Sequence, residues 1–107
     1  MNEKILSSLS MARGAGKLEI GHDAAADAVK AGAPLLVFAR DASDRTRQSI
    51  LKLCSGQCET VTLDETQDDI LMKFGKRFAV AAVTDRNFAA LIKKNLNAKQ
   101  EECNDIG

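Results

Sequence analysis

The sequence predicts an α/β fold: a three-layer α/β/α sandwich on a mixed, roughly four-stranded sheet. Three observations carry that expectation. Segments with helical periodicity alternate with short strand-like segments along the chain. Two of the strand-like segments, Leu35–Ala39 and Ala79–Val83, are apolar at every position, so helices are needed on both faces of the sheet. Glycine, proline and capping residues punctuate the segments at their ends.

In order, Glu3–Arg13 carries Ile5, Leu6, Leu9 and Ala12 at spacings of three and four, one face of a helix that Gly14 and Gly16 end. Leu18 and Ile20 alternate with Lys17 and Glu19 as a short strand. After Gly21, Asp23 is placed to cap a helix over Ala24–Ala31, and Gly32 lies just past its end. Pro34 cannot continue a helix and leads into the strand Leu35–Ala39. Asp41 or Ser43 caps a helix over about Asp44–Leu53, with Ile50, Leu51 and Leu53 on its apolar side and Gly56 as its stop. Thr60–Leu63 is a further strand. Thr66–Phe74 is a short helix with Ile70, Leu71 and Phe74 inward, ended by Gly75. Beyond the strand Ala79–Val83, Asp85 caps a last helix through Phe88, Leu91, Ile92 and Leu96. Residues 1–97 thus read as one domain and 98–107 as a polar, flexible tail.

The chain has 107 residues, 45% apolar and 28% charged, enough for one globular domain with its own core. Met1–Ser10 lacks the apolar core of a signal peptide, and no apolar run could span a bilayer. The three cysteines do not make a disulfide framework and leave an odd thiol. A reducing, cytoplasmic location with no membrane partner is the expectation. Net charge is zero, but Asn97–Gly107 contributes −2, so Met1–Leu96 is +2. Any nucleic-acid site must then depend on local placement of charge and not on a global field.

Enzymatic constellations are missing. Gly14, Gly16 and Lys17 imitate part of a phosphate loop, but a helix precedes them, a strand follows, and Leu18 stands where Ser or Thr is needed. Cys54 and Cys58 would need His22 and Cys103 to complete a zinc site, and His22 lies in another loop; the two thiols read as packing residues. His22, the single histidine, has neither a nucleophile nor a metal set around it. The pairs Asp64–Glu65 and Asp68–Asp69 suit a helix start through its dipole. No catalytic residue, metal or cofactor is expected.

The cations are better placed. Arg13 and Lys17 flank the first glycine-rich turn, Arg40 follows one buried strand, and Lys76 and Arg77 precede the other. If those strands are neighbours, their adjoining loops converge on one edge. The helix start after Gly21 adds backbone N–H groups that suit an anion. Such an edge could hold phosphates; ordinary solvated loops fit the same facts equally well.

The wording of these segments resembles a known family. Leu9–Leu18, then Gly21, then Val29–Ser43 are similar to the kink-turn-binding ribosomal-protein family, and more closely to its bacterial YlxQ-like branch. Leu53–Cys54, Phe74–Lys76 and Val80–Asp85 agree with it, and the similarity runs over about Ile5–Ile92. The resemblance implies an α/β/α sandwich that binds structured RNA by shape and exposed base edges, without catalysis, in association with ribosomes or translation. Implied partners are structured RNA, including ribosomal RNA, and ribosomal or RNA-processing proteins. Implied contacts are Arg13, Lys17, Gly21, His22, Asp23, Arg40, Lys76, Arg77 and Phe78, the last by stacking.

The chain departs from the family pattern at the helix start. Asp23 stands where an asparagine could both donate and accept, Ala24 replaces a glutamate, and Asp27 puts a negative charge where a phosphate-facing lysine belongs. The loop Gly75–Phe78 is short and basic where the family's is longer and apolar. These departures weigh against tight binding of a standard kink-turn. They also leave open an alternative, a protein-interaction module on the same fold with an eroded RNA site.

Overall fold

The computed structural model describes residues 3–54 and 58–95. Its elements are α1 (Glu3–Gly14), β1 (Leu18–Ile20), α2 (His22–Lys30), β2 (Leu35–Phe38), α3 (Asp44–Leu51), β3 (Glu59–Thr62), α4 (Gln67–Phe74) and β4 (Val80–Val83), followed by α5 over 86–95. The sheet order is β1-β4-β2-β3. β4 is antiparallel to both β1 and β2, while β3 is parallel to β2. That parallel pair needs a crossover, which α3 provides.

The two apolar strands of the sequence, β2 and β4, are the two central strands, buried at every residue. Their alternation divides the core. Leu35, Val37, Ala81 and Val83 face one layer, packed with Ile5, Leu9 and Ala12 of α1, Ile70 and Phe74 of α4, and Ala89 and Ile92 of α5. Leu36, Phe38, Val80 and Ala82 face the other, packed with Ala25, Ala28 and Val29 of α2 and Ile50 of α3. This is the three-layer sandwich that the patterning predicts.

Several local expectations change. α2 starts at His22 with Gly21 as its cap, at φ 102° and ψ 164°, a conformation open essentially to glycine alone. Asp23 therefore lies in the first turn and does not cap. Of the two candidate caps for α3, Ser43 accepts from the Thr46 N–H at 3.1 Å. Asp41 instead accepts from the Gln67 N–H at 2.9 Å, joining the β2–α3 loop to the start of α4. Leu51 and Leu71, expected to face inward, are 43% and 46% exposed. Ile50 of α3, and Ile70 with Phe74 of α4, take the sheet-facing positions, and the next residue on a helix is turned about 100° away.

Other caps follow the sequence. Thr66 and Asp69 form a reciprocal capping box, and Gly75 closes α4 in the left-handed region. Asp85 accepts from the Asn87 and Phe88 N–H groups at 2.7 and 3.2 Å. Asn95 of α5 donates to Ser8 Oγ at 2.7 Å, tying α5 to α1.

Cys54 and Cys58, read from sequence as packing thiols, are joined as a disulfide, with Cα atoms 6.0 Å apart. Both residues pack against the α2–α3 layer. Gly56, Leu96, Cys103 and the tail 98–107 lie outside the described residues. Among the described residues no helix is long and apolar enough to cross a membrane.

Strand direction sorts the loops. Ile20 stands opposite Ala81, and Phe38 opposite both Val80 and Thr62. The ends of β1, β2 and β3 and the start of β4 thus share one end of the sheet, the Gly21 end. The other end gathers Leu18, Val83, Leu35 and Glu59, and Lys17 accepts there from the Thr84 N–H at 2.9 Å. It is the Lys17 end.

Candidate nucleic-acid interface

At the Gly21 end, four backbone hydrogen bonds stitch segments distant in sequence. The Gly21 N–H donates to Val80 O at 3.0 Å and the Ala39 N–H to Ala79 O at 2.9 Å. The Arg40 N–H donates to Glu65 O and the Leu63 N–H to Phe38 O, both at 2.8 Å. The start of α2, the β2–α3 loop and the loop before β4 therefore form one surface. The loops that carry Arg40 and Lys76–Arg77 do converge, because β2 and β4 are antiparallel neighbours.

Among the described residues no side chain caps α2, so its first N–H groups are without a side-chain acceptor and have the positive end of the helix dipole behind them. His22 stands beside them, its Nε2 3.2 Å from Ser49 Oγ of α3. The Asp23 carboxylate lies 3.5 Å from His22 Nδ1 and is itself fully exposed. Arg40, Lys76 and Arg77 are all exposed. Arg77 lies 3.4 Å from the Asp68 carboxylate, a solvent-exposed pair worth at most about 1 kcal/mol. Among the described residues, Arg40 and Lys76 have no ion-pair partner.

Two other cations do not join this surface. Lys17 belongs to the opposite end of the strands. Arg13, in the last turn of α1, holds its guanidinium 5.4 Å from the centre of the Phe74 ring. Phe78 is not available for stacking: it is 3% exposed, and its ring meets Phe74 edge-on at 5.8 Å. An aromatic ring following a short basic loop is taken up by the core, because burying it stabilises the fold by about 2 kcal/mol or more.

One residue that sequence reasoning passed over shapes the site. Arg47 of α3 donates to Thr62 Oγ1 at 3.0 Å, to Ala39 O at 3.3 Å and to Ala42 O at 3.4 Å. Its guanidinium also lies 4.9 Å from the Phe38 ring centre. The planar fork binds the β2–α3 loop to the end of β3, which holds the segment bearing Arg40. Its place four residues after the Ser43 cap is the only sequence hint, and the partners come from three different segments.

Comparison with known proteins sets the fold in context. No family model matches the chain, and no curated protein matches it. Among solved structures, a protein of unknown function from Bacillus halodurans is similar at a TM-score of 0.71 and 28% identity, over 84% of this chain and 97% of that one. The Giardia lamblia 15.5kD RNA binding protein is similar at a TM-score of 0.65 and 13% identity, over 90% of this chain and 84% of that one. One structural neighbour is therefore an RNA-binding protein. At that identity the likeness is one of fold.

Proposed function

We propose that this chain is a non-enzymatic protein that binds structured RNA through its Gly21 end, in a ribosome- or translation-associated setting, as the resemblance to the YlxQ-like branch suggests. The observation that carries the reading is convergence. The uncapped start of α2 and the exposed cations Arg40, Lys76 and Arg77 sit on loops stitched together at one end of the sheet. Backbone N–H groups and cations in one surface suit phosphate oxygens. The fold shared with an RNA-binding protein supports the same reading. Asp23 and Asp27 repel phosphate from α2, so the neighbouring basic loops carry more of the contact.

Binding to a pool of structured cellular RNA, measured against salt, tests it. Affinity should fall steeply with salt, and Lys76→Ala with Arg77→Ala should weaken it about tenfold and flatten the log–log salt slope by about two. Lys17→Ala, at the other end, should change affinity less than about twofold. Salt-insensitive binding, or none, would falsify the reading.

The exposed carboxylates of Asp23 and Asp27 favour a second reading, a protein-interaction module on the same fold. Partners retained from a lysate after nuclease treatment would support it over the first.

A further inference from the structure

From the start of α2, an RNA strand could continue along either of two neighbouring helices, and their charges are opposite. Along α2 it meets the exposed carboxylates of Asp23 and Asp27, which repel phosphate at close range. Along α3 it meets an open groove of about 510 Å³ lined by Arg45, Gln48, Ser49, Lys52 and Leu53. The lining holds two cations, an amide and a hydroxyl, and no carboxylate; the acid of α3, Asp44, is not among the lining residues.

The groove is continuous with the Gly21 end. Ser49, in its wall, is hydrogen-bonded to His22, the first residue of α2. Arg45 and Lys52 are seven residues apart, two turns of one helix face, which separates them by about 10 Å along the axis. Gln48 and Ser49 lie between them on the same face. Arg45, Gln48, Ser49 and Lys52 are all exposed, whereas Arg47 points the other way and is taken up by Thr62, Ala39 and Phe38. Two faces of one helix are thus divided: Arg47 holds the loop, while Arg45 and Lys52 are exposed.

We infer that the α3 groove is a second RNA contact, in which Arg45 and Lys52 hold phosphates of the helical stem flanking the element bound at the Gly21 end, with Gln48 and Ser49 hydrogen-bonding to its backbone. This rests on the RNA reading of the Gly21 end and extends it from one point to a track. The contact is to phosphate and sugar, so it adds affinity and orientation without sequence preference.

The test uses the full chain and an internal-loop RNA with a full stem on each side, beside the same RNA with one stem or the other truncated. Arg45→Gln with Lys52→Gln should weaken binding of the full-stem RNA about tenfold and reduce its salt slope by about two. On the RNA lacking the stem that α3 holds, the same variant should bind as the wild type does. Arg86→Gln with Lys94→Gln, the same loss of charge on α5, should leave full-stem binding within about twofold. Matching thermal melts for the variants exclude unfolding as the cause. If the wild-type chain binds full-stem RNA and the α3 variant binds it equally well, or if the α5 control loses as much, the groove is not a stem contact and the RNA reading of the Gly21 end still stands. If the wild-type chain binds none of these RNAs, both readings fail together.

Discussion

The two ends of the same four strands present different chemistry. At the Gly21 end, an uncapped helix start, Arg40, Lys76 and Arg77 face outward from loops joined by short backbone hydrogen bonds. At the Lys17 end, Lys93 of α5 pairs with Glu59 at the start of β3 at 2.8 Å. There the nearby groove between Pro34 and Arg86 mixes that carboxylate with its cations. The strands and the core behind both ends are shared. Antiparallel pairing of β2 with β4 is what sends the loops that carry Arg40 and Lys76–Arg77 to one side. A nearly neutral chain can in this way present a local cationic surface, which a net charge of zero would not suggest.

The Gly21 end depends most on Phe38, which ends β2 beneath the Arg47 guanidinium and is 1% exposed. Phe38→Ala should lower unfolding stability by about 3–5 kcal/mol in urea denaturation; a loss below about 1 kcal/mol would mean that the Gly21 end is not built on this ring. Two glycines, one from each end, differ in what their backbones require. Gly21→Ala places a Cβ on a backbone at φ 102° and should cost about 1–3 kcal/mol. Gly14→Ala, at the last residue of α1, meets nothing within 4 Å and needs no positive φ. It should be neutral or stabilising by up to about 1 kcal/mol. Thermal melts of both variants compare them directly, and equal losses would remove the distinction.

The smallest effect concerns Asp69, in the first turn of α4. The Thr66 backbone N–H, first of all, and then the Thr66 side chain hold its carboxyl below the ordinary aspartate value. A lowered pKa in the folded state stabilises fully above the unfolded value, and the contribution is lost as pH falls through the folded one. Asp69→Asn should therefore lower the melting temperature slightly and by a constant amount above about pH 4, with the difference from the wild type vanishing in stronger acid. A difference that instead grew on acidification would reverse the assignment.

Much of the fold was legible because it depends on local periodicity. Leu35–Ala39 and Ala79–Val83 read as strands covered on both faces, and Thr66, Gly75 and Asp85 mark helix ends by chemistry that acts within a few residues. Where the structure differs, the cause is a contact between distant segments or the roll of a helix. Asp23 looked like a cap until the hydrogen bond from Gly21 to Val80 fixed the glycine in a conformation that starts the helix earlier. Phe78 looked exposed because a short basic loop precedes it, but its neighbour in space is Phe74. Apolarity alone points Leu51 and Leu71 inward, but which of two adjacent apolar residues faces the sheet depends on the roll of the helix.

The candidate site divides in the same way. Its residue types, the cations beside the buried strands and the glycine before an alanine-rich helix, were present in the sequence, and so was the resemblance that gave them a purpose. The sequence alone determined the layers, since two strands without a polar face require helices on both sides. Only the tertiary structure decided which loops share an end, that Lys17 is separated from Arg40 and Lys76, and that Arg47 is spent on holding a loop while Arg45 and Lys52 are not. Strand pairing and helix roll are set by contacts between segments far apart in the chain, and local pattern does not encode them.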